Sequence, residues 1–242
     1  DFKDRDSESD AVLRFFVVGD TGLNTGGTQR TALAMAQYAK LTGKPEFVWN
    51  LGDNFYLHGV TDADDPQFQH VWADVWLVHE DLRVPWYTIL GNHDHEGNAT
   101  AQLVHQHPLW RMPGFVYTVS HSLGEDRVDM FAIDTNGAND ELYANVLEGV
   151  LTSLEESLEN SNATWKLVMG HNPMYTRGAY HGREGLLLRS PKPHGFGMED
   201  IVEQGNVTAT FGGHEHVLQH KRARGSDHFV VGASGAMGVG FN

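Results

Sequence analysis

The chain is 242 residues long, 40% hydrophobic and 20% charged, enough for one large domain or two very small ones around a real core. Its 17 Lys and Arg against 32 Asp and Glu give a formal charge of −15, and the longest basic stretch is Lys221-Arg222-Ala223-Arg224, which argues against a non-specific grip on nucleic acid. No apolar run approaches the roughly 18 residues that span a bilayer, and the absence of cysteine removes disulfides, thiolate zinc sites and thiol nucleophiles while 15 histidines remain.

Residues 1–10, DFKDRDSESD, are predicted to be a polar, solvated lead-in, and 11–242 a single domain. FFVVGD at 15–20 is the first of several short apolar runs that end in Gly and a polar residue, each the pattern of a buried strand closing in a tight turn. A helix follows, with Thr28 as the expected cap of TQRTALAMAQYAK. The strand FVWNLGD at 47–53 precedes a helical stretch opened by Pro66, where Phe68, Val71, Trp72, Val75 and Trp76 recur on one face. WYTILGN at 86–92 and Met130-Phe131-Ala132-Ile133 before Asp134 are the next strands. From Asp140 a third helix is predicted, with Leu142, Val146, Leu147, Val150, Leu151, Leu154 and Leu158 as its apolar stripe. After the strand KLVMGH at 166–171, residues 181–198 are rich in Gly and Pro and are expected to form the longest loop. A short helix MEDIVEQ stops at Gly205, and strands at 207–214 and 229–231 close the series. Strands alternating with helices predict an α/β domain, whose ligands collect beyond the carboxyl ends of the strands.

Those ends carry Asp20, Asp53, Asn92, His171 and His214. Singly, an Asp or Asn after Gly is a turn former, but turn propensity has no reason to select histidine at the same topological place. His216 lies two residues beyond His214, and Tyr56 three beyond Asp53. Two carboxylates, an amide, a phenol and three imidazoles exceed what one ion takes from protein if it keeps open positions. Two metals sharing a carboxylate is the economical solution, and such a pair suits in-line phosphoryl displacement.

The blocks GDTG (19–22), GDNFY (52–56), GNHD (91–94), GHNP (170–173) and GGHEH (212–216) resemble those of the purple acid phosphatases, within the calcineurin-like metallophosphoesterases. GDNFYLHGV, PWYTILGNHDHEGN and FVVGASG are similar to stretches of the small, tartrate-resistant type. The resemblance runs from Phe15 to Gly235 and implies two mixed β-sheets flanked by helices. It implies that Asp20, Tyr56 and His216 hold Fe(III), that Asn92, His171 and His214 hold a divalent iron, zinc or manganese, and that Asp53 bridges them. A phenolate is a hard anionic donor suited to the trivalent ion. The implied reaction is hydrolysis of phosphate monoesters by attack of a metal-bound hydroxide. His93 would hydrogen-bond the phosphoryl group, and either it or His181 would protonate the leaving alkoxide. His95, Asp94 and Asp134 are expected as outer groups that orient ligands, His95 being equally well a surface residue and the two carboxylates equally turn formers. His58, His70, His79, His105, His107, His121, His194, His220 and His228 are read as mostly solvated.

The sequence departs from the resemblance in places. Thr21 stands where the small mammalian-type enzymes have a tryptophan, only NGAND separates the strand at Asp134 from the next helix, and relatives continue past Asn242 into further strands. The second sheet is therefore expected to lack C-terminal strands. Sequons at Asn98, Asn162 and Asn206 are candidate glycosylation sites, and a secreted or lysosomal/vacuolar monomer acting on a small phosphate ester is expected, with no transmembrane segment. The start at Asp1 without Met fits a mature or trimmed product. Two alternatives stand beside this: a phosphodiesterase or phosphoprotein phosphatase, disfavoured by Tyr56, and a non-enzymatic scaffold or membrane anchor of the same fold, disfavoured by a complete ligand set.

Overall fold

Strands with apolar residues on both faces must be covered on both, and Phe47–Asn50, buried at all four positions, is the clearest case. The computed structural model, which describes residues 12–138, 144–178, 181–192 and 194–235, arranges them in two sheets. β1 (Phe15–Val18), β2 (Phe47–Asn50), β3 (Trp86–Thr88) and β4 (Trp110–Arg111) form one, in that order and parallel throughout. β5 (Val116–Leu123), β6 (Asp126–Ile133), β7 (Trp165–Met169), β8 (Ala209–Gly212), β9 (Leu218–Ala223) and β10 (Ser226–Val231) form the other, in spatial order β5-β6-β7-β8-β10-β9. Its four inner strands are parallel and its two edge strands antiparallel, so the mixing of directions expected from the sequence resides in this sheet.

Side chains alternate between faces along each strand, and the two faces feed different cores. Phe47, Trp49, Met130, Ala132, Leu167, Met169 and Ala209 point between the sheets. Val18 and Val48 point the other way, to α1 (Gly26–Thr42) and a π-helix (Phe68–Leu77) that buries Phe68, Trp72, Val75 and Trp76. α2 (Asn92–His95) and α3 (Ala99–Val104) follow on this side of the chain. Beyond the six-stranded sheet, Phe131, Ile133 and Val168 pack on α4 (Ala144–Asn160), α5 (Gly182–Arg189) and α6 (Met198–Gln204). The result is four layers, helix, sheet, sheet, helix. None of the described helices is long and apolar enough to cross a membrane.

Four expectations need correction. Helix α1 is capped by Thr25, whose hydroxyl accepts from the Gly27 and Thr28 amides; Thr28 sits three residues on and returns the bond to the Thr25 amide, a reciprocal box that either threonine suggests. The long loop at 181–198 contains α5, because Leu188 is fully buried in the outer core and repays winding a glycine-containing segment. Val146, counted in the apolar stripe, is 60% exposed; Asp140 and Leu142 lie outside the described residues. His228 is buried, its Nδ1 2.8 Å from the Thr210 hydroxyl. β4, β5 and β9 were not anticipated.

Candidate metal centre

Asp20 follows β1, Asp53 follows β2, Asn92 opens α2 after β3, His171 follows β7, and His214 and His216 follow β8. Each chain must turn sharply there. Asp20 (φ 59°), Asp53 (φ 51°) and His214 (φ 67°) all take the left-handed conformation, which costs a residue with a Cβ about 1–3 kcal/mol. Only two other non-glycine residues do so among those described, Asn206 and Arg224. Glycines open the space: a Cβ on Gly91 would collide with the Asp53 carboxylate, and one on Gly213 would lie 2.7 Å from Asp20 Oδ2.

The seven predicted donors converge in two groups. In the first, the Tyr56 hydroxyl donates to Asp20 Oδ1 at 3.1 Å and lies 3.0 Å from His216 Nε2, which is 3.2 Å from the same carboxylate oxygen. In the second, His171 Nε2 is 3.2 Å from Asn92 Oδ1 and 3.4 Å from Asp53 Oδ1. His171 Nδ1 donates to the Leu51 carbonyl at 2.8 Å, fixing the ring with Nε2 toward the oxygens. The His214 ring packs edge-on to His171 at 4.9 Å, and the His214 amide donates to both oxygens of Asp20. The oxygen and nitrogen ligand atoms of Asp20, Asp53 and His171 lie within 4.8 Å of one another.

Charge and burial both ask for cations here. Asp20, Asp53, His171 and His214 are buried, and Tyr56 is only 6% exposed. Burial pushes the Asp20 carboxyl up against its hydrogen bond from His216, and burial with the charges of Asp20 and Asp53 pushes the Tyr56 phenol far up. Burial, then the neighbouring imidazoles, push His214 well below the ordinary histidine range, so it is a neutral donor, and its buried Nε2 has no hydrogen-bond partner. A cluster of acceptors that burial makes hard to ionise, with an orphaned imidazole nitrogen, fits a pair of metal ions.

The other predicted residues surround this cluster. The His93 amide donates to Asp53 Oδ1 at 3.1 Å; its ring packs 4.7 Å from Tyr56, with Nδ1 2.7 Å from the Leu57 carbonyl. His181 begins α5; its amide donates to Glu215 Oε1 at 2.7 Å and its ring lies 3.7 Å from that of His214. His95 is bound to Asp134 at 2.7 Å; burial opposes its charging, but the Asp134 hydrogen bond and charge prevail and raise its pKa. Asp94 accepts from the amides of Gly91, Asn54 and Phe55 and from the Gln102 side chain, and burial, then the charge of Asp53, push it to about 6. Asn98, Asn162 and Asn206 are exposed. Sequence reasoning missed Glu215, and also Glu184, whose carboxylate lies within 4.8 Å of the His181 and His214 ring nitrogens and has a buried, unpartnered Oε2. Its spacing of three from His181 is a helical signal, hidden by reading that segment as loop.

Parallel strands with a donor set at their carboxyl ends are the arrangement a metallophosphoesterase needs. Residues 13–218 match the family model described as "Calcineurin-like phosphoesterase", and the chain belongs to that family. Within it, the chain is 32% identical to purple acid phosphatase 7 of Arabidopsis thaliana, covering 95% of itself and 72% of that protein. It is 29% identical to human tartrate-resistant acid phosphatase type 5, over 93% of itself and 73% of the relative. Among solved structures it superposes on GAP50, "the anchor in the inner membrane complex of Plasmodium", with a TM-score of 0.76 at 23% identity, over 92% of this chain and 72% of that one. It also superposes on purple acid phosphatase PPD1 from yellow lupin seeds, with a TM-score of 0.60 at 18% identity, over 93% and 44%. The family and fold expected from the five blocks are therefore borne out.

Proposed function

We propose that this chain is a binuclear-metal acid phosphatase that hydrolyses phosphate monoesters. The observation that carries the reading is the convergence of seven candidate donors from both sheets, among them a buried imidazole nitrogen of His214 that lacks a hydrogen-bond partner among the described residues. In this reading Asp20, Tyr56 and His216 would hold Fe(III), Asn92, His171 and His214 would hold a divalent iron, zinc or manganese, and Asp53 would serve both. When bound, the metals supply Lewis acidity toward the phosphoryl oxygens and lower the pKa of water.

The rest is the work of the side chains. The Leu51 carbonyl holds the His171 tautomer that presents Nε2. The Leu57 carbonyl does the same for His93, leaving Nε2 to hydrogen-bond a phosphoryl oxygen. His181, half-buried against His214, would be the general acid: as the oxygen of a water bonds to phosphorus and the ester P–O bond breaks, the His181 proton passes to the ester oxygen, so that the alcohol leaves and phosphate remains. A scaffold of this fold has no use for seven converging donors, which favours the enzyme. We also assign a secreted or lysosomal/vacuolar address, with which the exposed sequons are consistent.

The test is hydrolysis of p-nitrophenyl phosphate by the chain loaded with iron and zinc, from mildly acidic to neutral pH. Turnover favouring acid is expected, and His216→Ala is expected to lose bound iron and turnover together. No turnover with two metals bound per chain would return the scaffold reading; iron and activity both retained in His216→Ala would overturn the ligand assignment.

A further inference from the structure

Next to the metal centre, sharing His216 as a wall, is a cavity of about 920 Å³ lined by Tyr175, Arg177, Arg189, Lys221 and His228 among others. None of its described lining residues is acidic, in a chain whose acids outnumber its bases 32 to 17. Ion pairs of Lys and Arg elsewhere among the described residues engage Arg127, Arg222 and Arg224, and none engages Arg177, Arg189 or Lys221. The nearby acids are already committed: Glu199 accepts from the Tyr175 hydroxyl and pairs with Arg224, and Asp227 pairs with His220 and Arg222.

Two of the three cations, Lys221 and Arg189, are held in place. Lys221 Nζ lies 3.9 Å and the Arg189 guanidinium 5.3 Å from the Tyr175 ring centre, so one ring carries two cations. Arg189 is fixed further by donating to the Met174 carbonyl at 2.8 Å, and the Arg177 amide donates to Gln219 Oε1 at 2.8 Å, tying two walls together. With its ring so occupied, Tyr175 serves the cations rather than a stacked base. Gathering like charges without counter-ions is unfavourable, and a multivalent anion with planar or tetrahedral oxygens offsets it, most of all at guanidinium groups.

We infer that this cavity binds a second phosphate group of the substrate, beyond the one being hydrolysed, so that the enzyme prefers esters carrying two phosphates. The inference rests on the phosphatase reading for its enzymatic consequence, and the cavity's affinity for phosphate can be measured apart from it. The experiment uses α,ω-alkanediol bisphosphates of graded length, from propane to octane, against the matching hydroxyalkyl monophosphates, at fixed ionic strength. The proteins are the metal-loaded chain, Arg177→Ala, Lys221→Ala and the double variant; both side chains are exposed, so folding is not at stake.

At one or more chain lengths the bisphosphate is expected to show a KM about tenfold below that of its monophosphate, roughly one decade of binding. In the double variant that ratio is expected to fall to about one, through the bisphosphate KM rather than the monophosphate KM. Equal KM values at every length in the parent chain, or a preference that survives the double substitution, would overturn the inference. If no ester is turned over, the phosphatase reading fails alone, and titration calorimetry of the same pairs decides the cavity. Tighter bisphosphate binding that the double variant abolishes supports it, and equal binding overturns it.

Discussion

Asp94 occupies none of the proposed metal positions, yet it ties together two of the segments that carry them. Its carboxylate receives the Gly91 amide from the turn before Asn92 and the Asn54 and Phe55 amides from the turn after Asp53, and Gln102 from α3 closes the set. Removing a buried acceptor leaves its donors without partners, at about 1–3 kcal/mol each. Asp94→Ala is therefore expected to lower unfolding free energy by about 3–5 kcal/mol, the range for breaking a buried polar network. It should also weaken metal binding, because Asp53 and Asn92 lose their common brace. Asp94→Asn keeps one acceptor oxygen and no charge beside Asp53, so it should lose less on both counts. Urea titration of the metal-free chain and zinc titration calorimetry make the comparison; an alanine variant within about 0.5 kcal/mol of the parent, the range of ordinary surface changes, would show that the brace is dispensable.

Strand β10 carries a different liability. His228 lies buried between Thr210 on β8 and the Ala223 carbonyl, and burial holds its pKa below the ordinary 6.5. In the unfolded chain it takes a proton as pH falls through 6.5; in the folded chain it does so only at lower pH. Between those values the unfolded state binds more protons, so stability is present above pH 6.5 and is lost as pH falls toward the folded value. His228→Gln, which cannot titrate, is expected to show a smaller drop in urea midpoint from pH 7 to pH 5 than the parent; equal drops would refute the assignment. This burial was not legible, because a lone histidine in SDHFVV carries no mark of which face it takes. The strands that were legible share a plain reason: each contains a short unbroken apolar run, and most of these runs are stopped by Gly. Edge strands β5 and β9 read VYTVSHSL and LQHKRA, half polar, and only their two-residue hairpin turns, Gly124-Glu125 and Arg224-Gly225 with positive φ at Gly124, Arg224 and Gly225, betray them. The nearness of the seven candidate donors to one another was legible because each follows a strand. The Leu51 and Leu57 carbonyls that orient His171 and His93 were not, since a backbone acceptor leaves no trace in residue type.

The two sheets meet along an apolar seam, but at the candidate metal centre they meet through polar groups. Asp20, Asp53, Tyr56 and Asn92 come from the four-stranded side, and His171, His214 and His216 from the six-stranded side. The contacts His171 to Leu51, His171 to Asn92, Tyr56 to His216 and His214 to Asp20 all cross the seam. Metal ions placed there would staple the layers, and because the donors come together only when both sheets are docked, the unfolded chain has no comparable site. Ligand that binds only the folded state stabilises it by RT ln(1 + [L]/Kd), about 4 kcal/mol at a thousandfold excess over Kd. For a domain of this size each kcal/mol moves Tm by about 2–4 °C, so stripping the metals should lower Tm by about 8–16 °C. Calorimetry before and after chelation, with metal content measured in both, makes the test. A fall of that size in a single transition shows that the centre binds the two sheets into one cooperative unit. An unchanged Tm after loss of two metals per chain would mean that the apolar seam suffices and that the donors are held for chemistry alone.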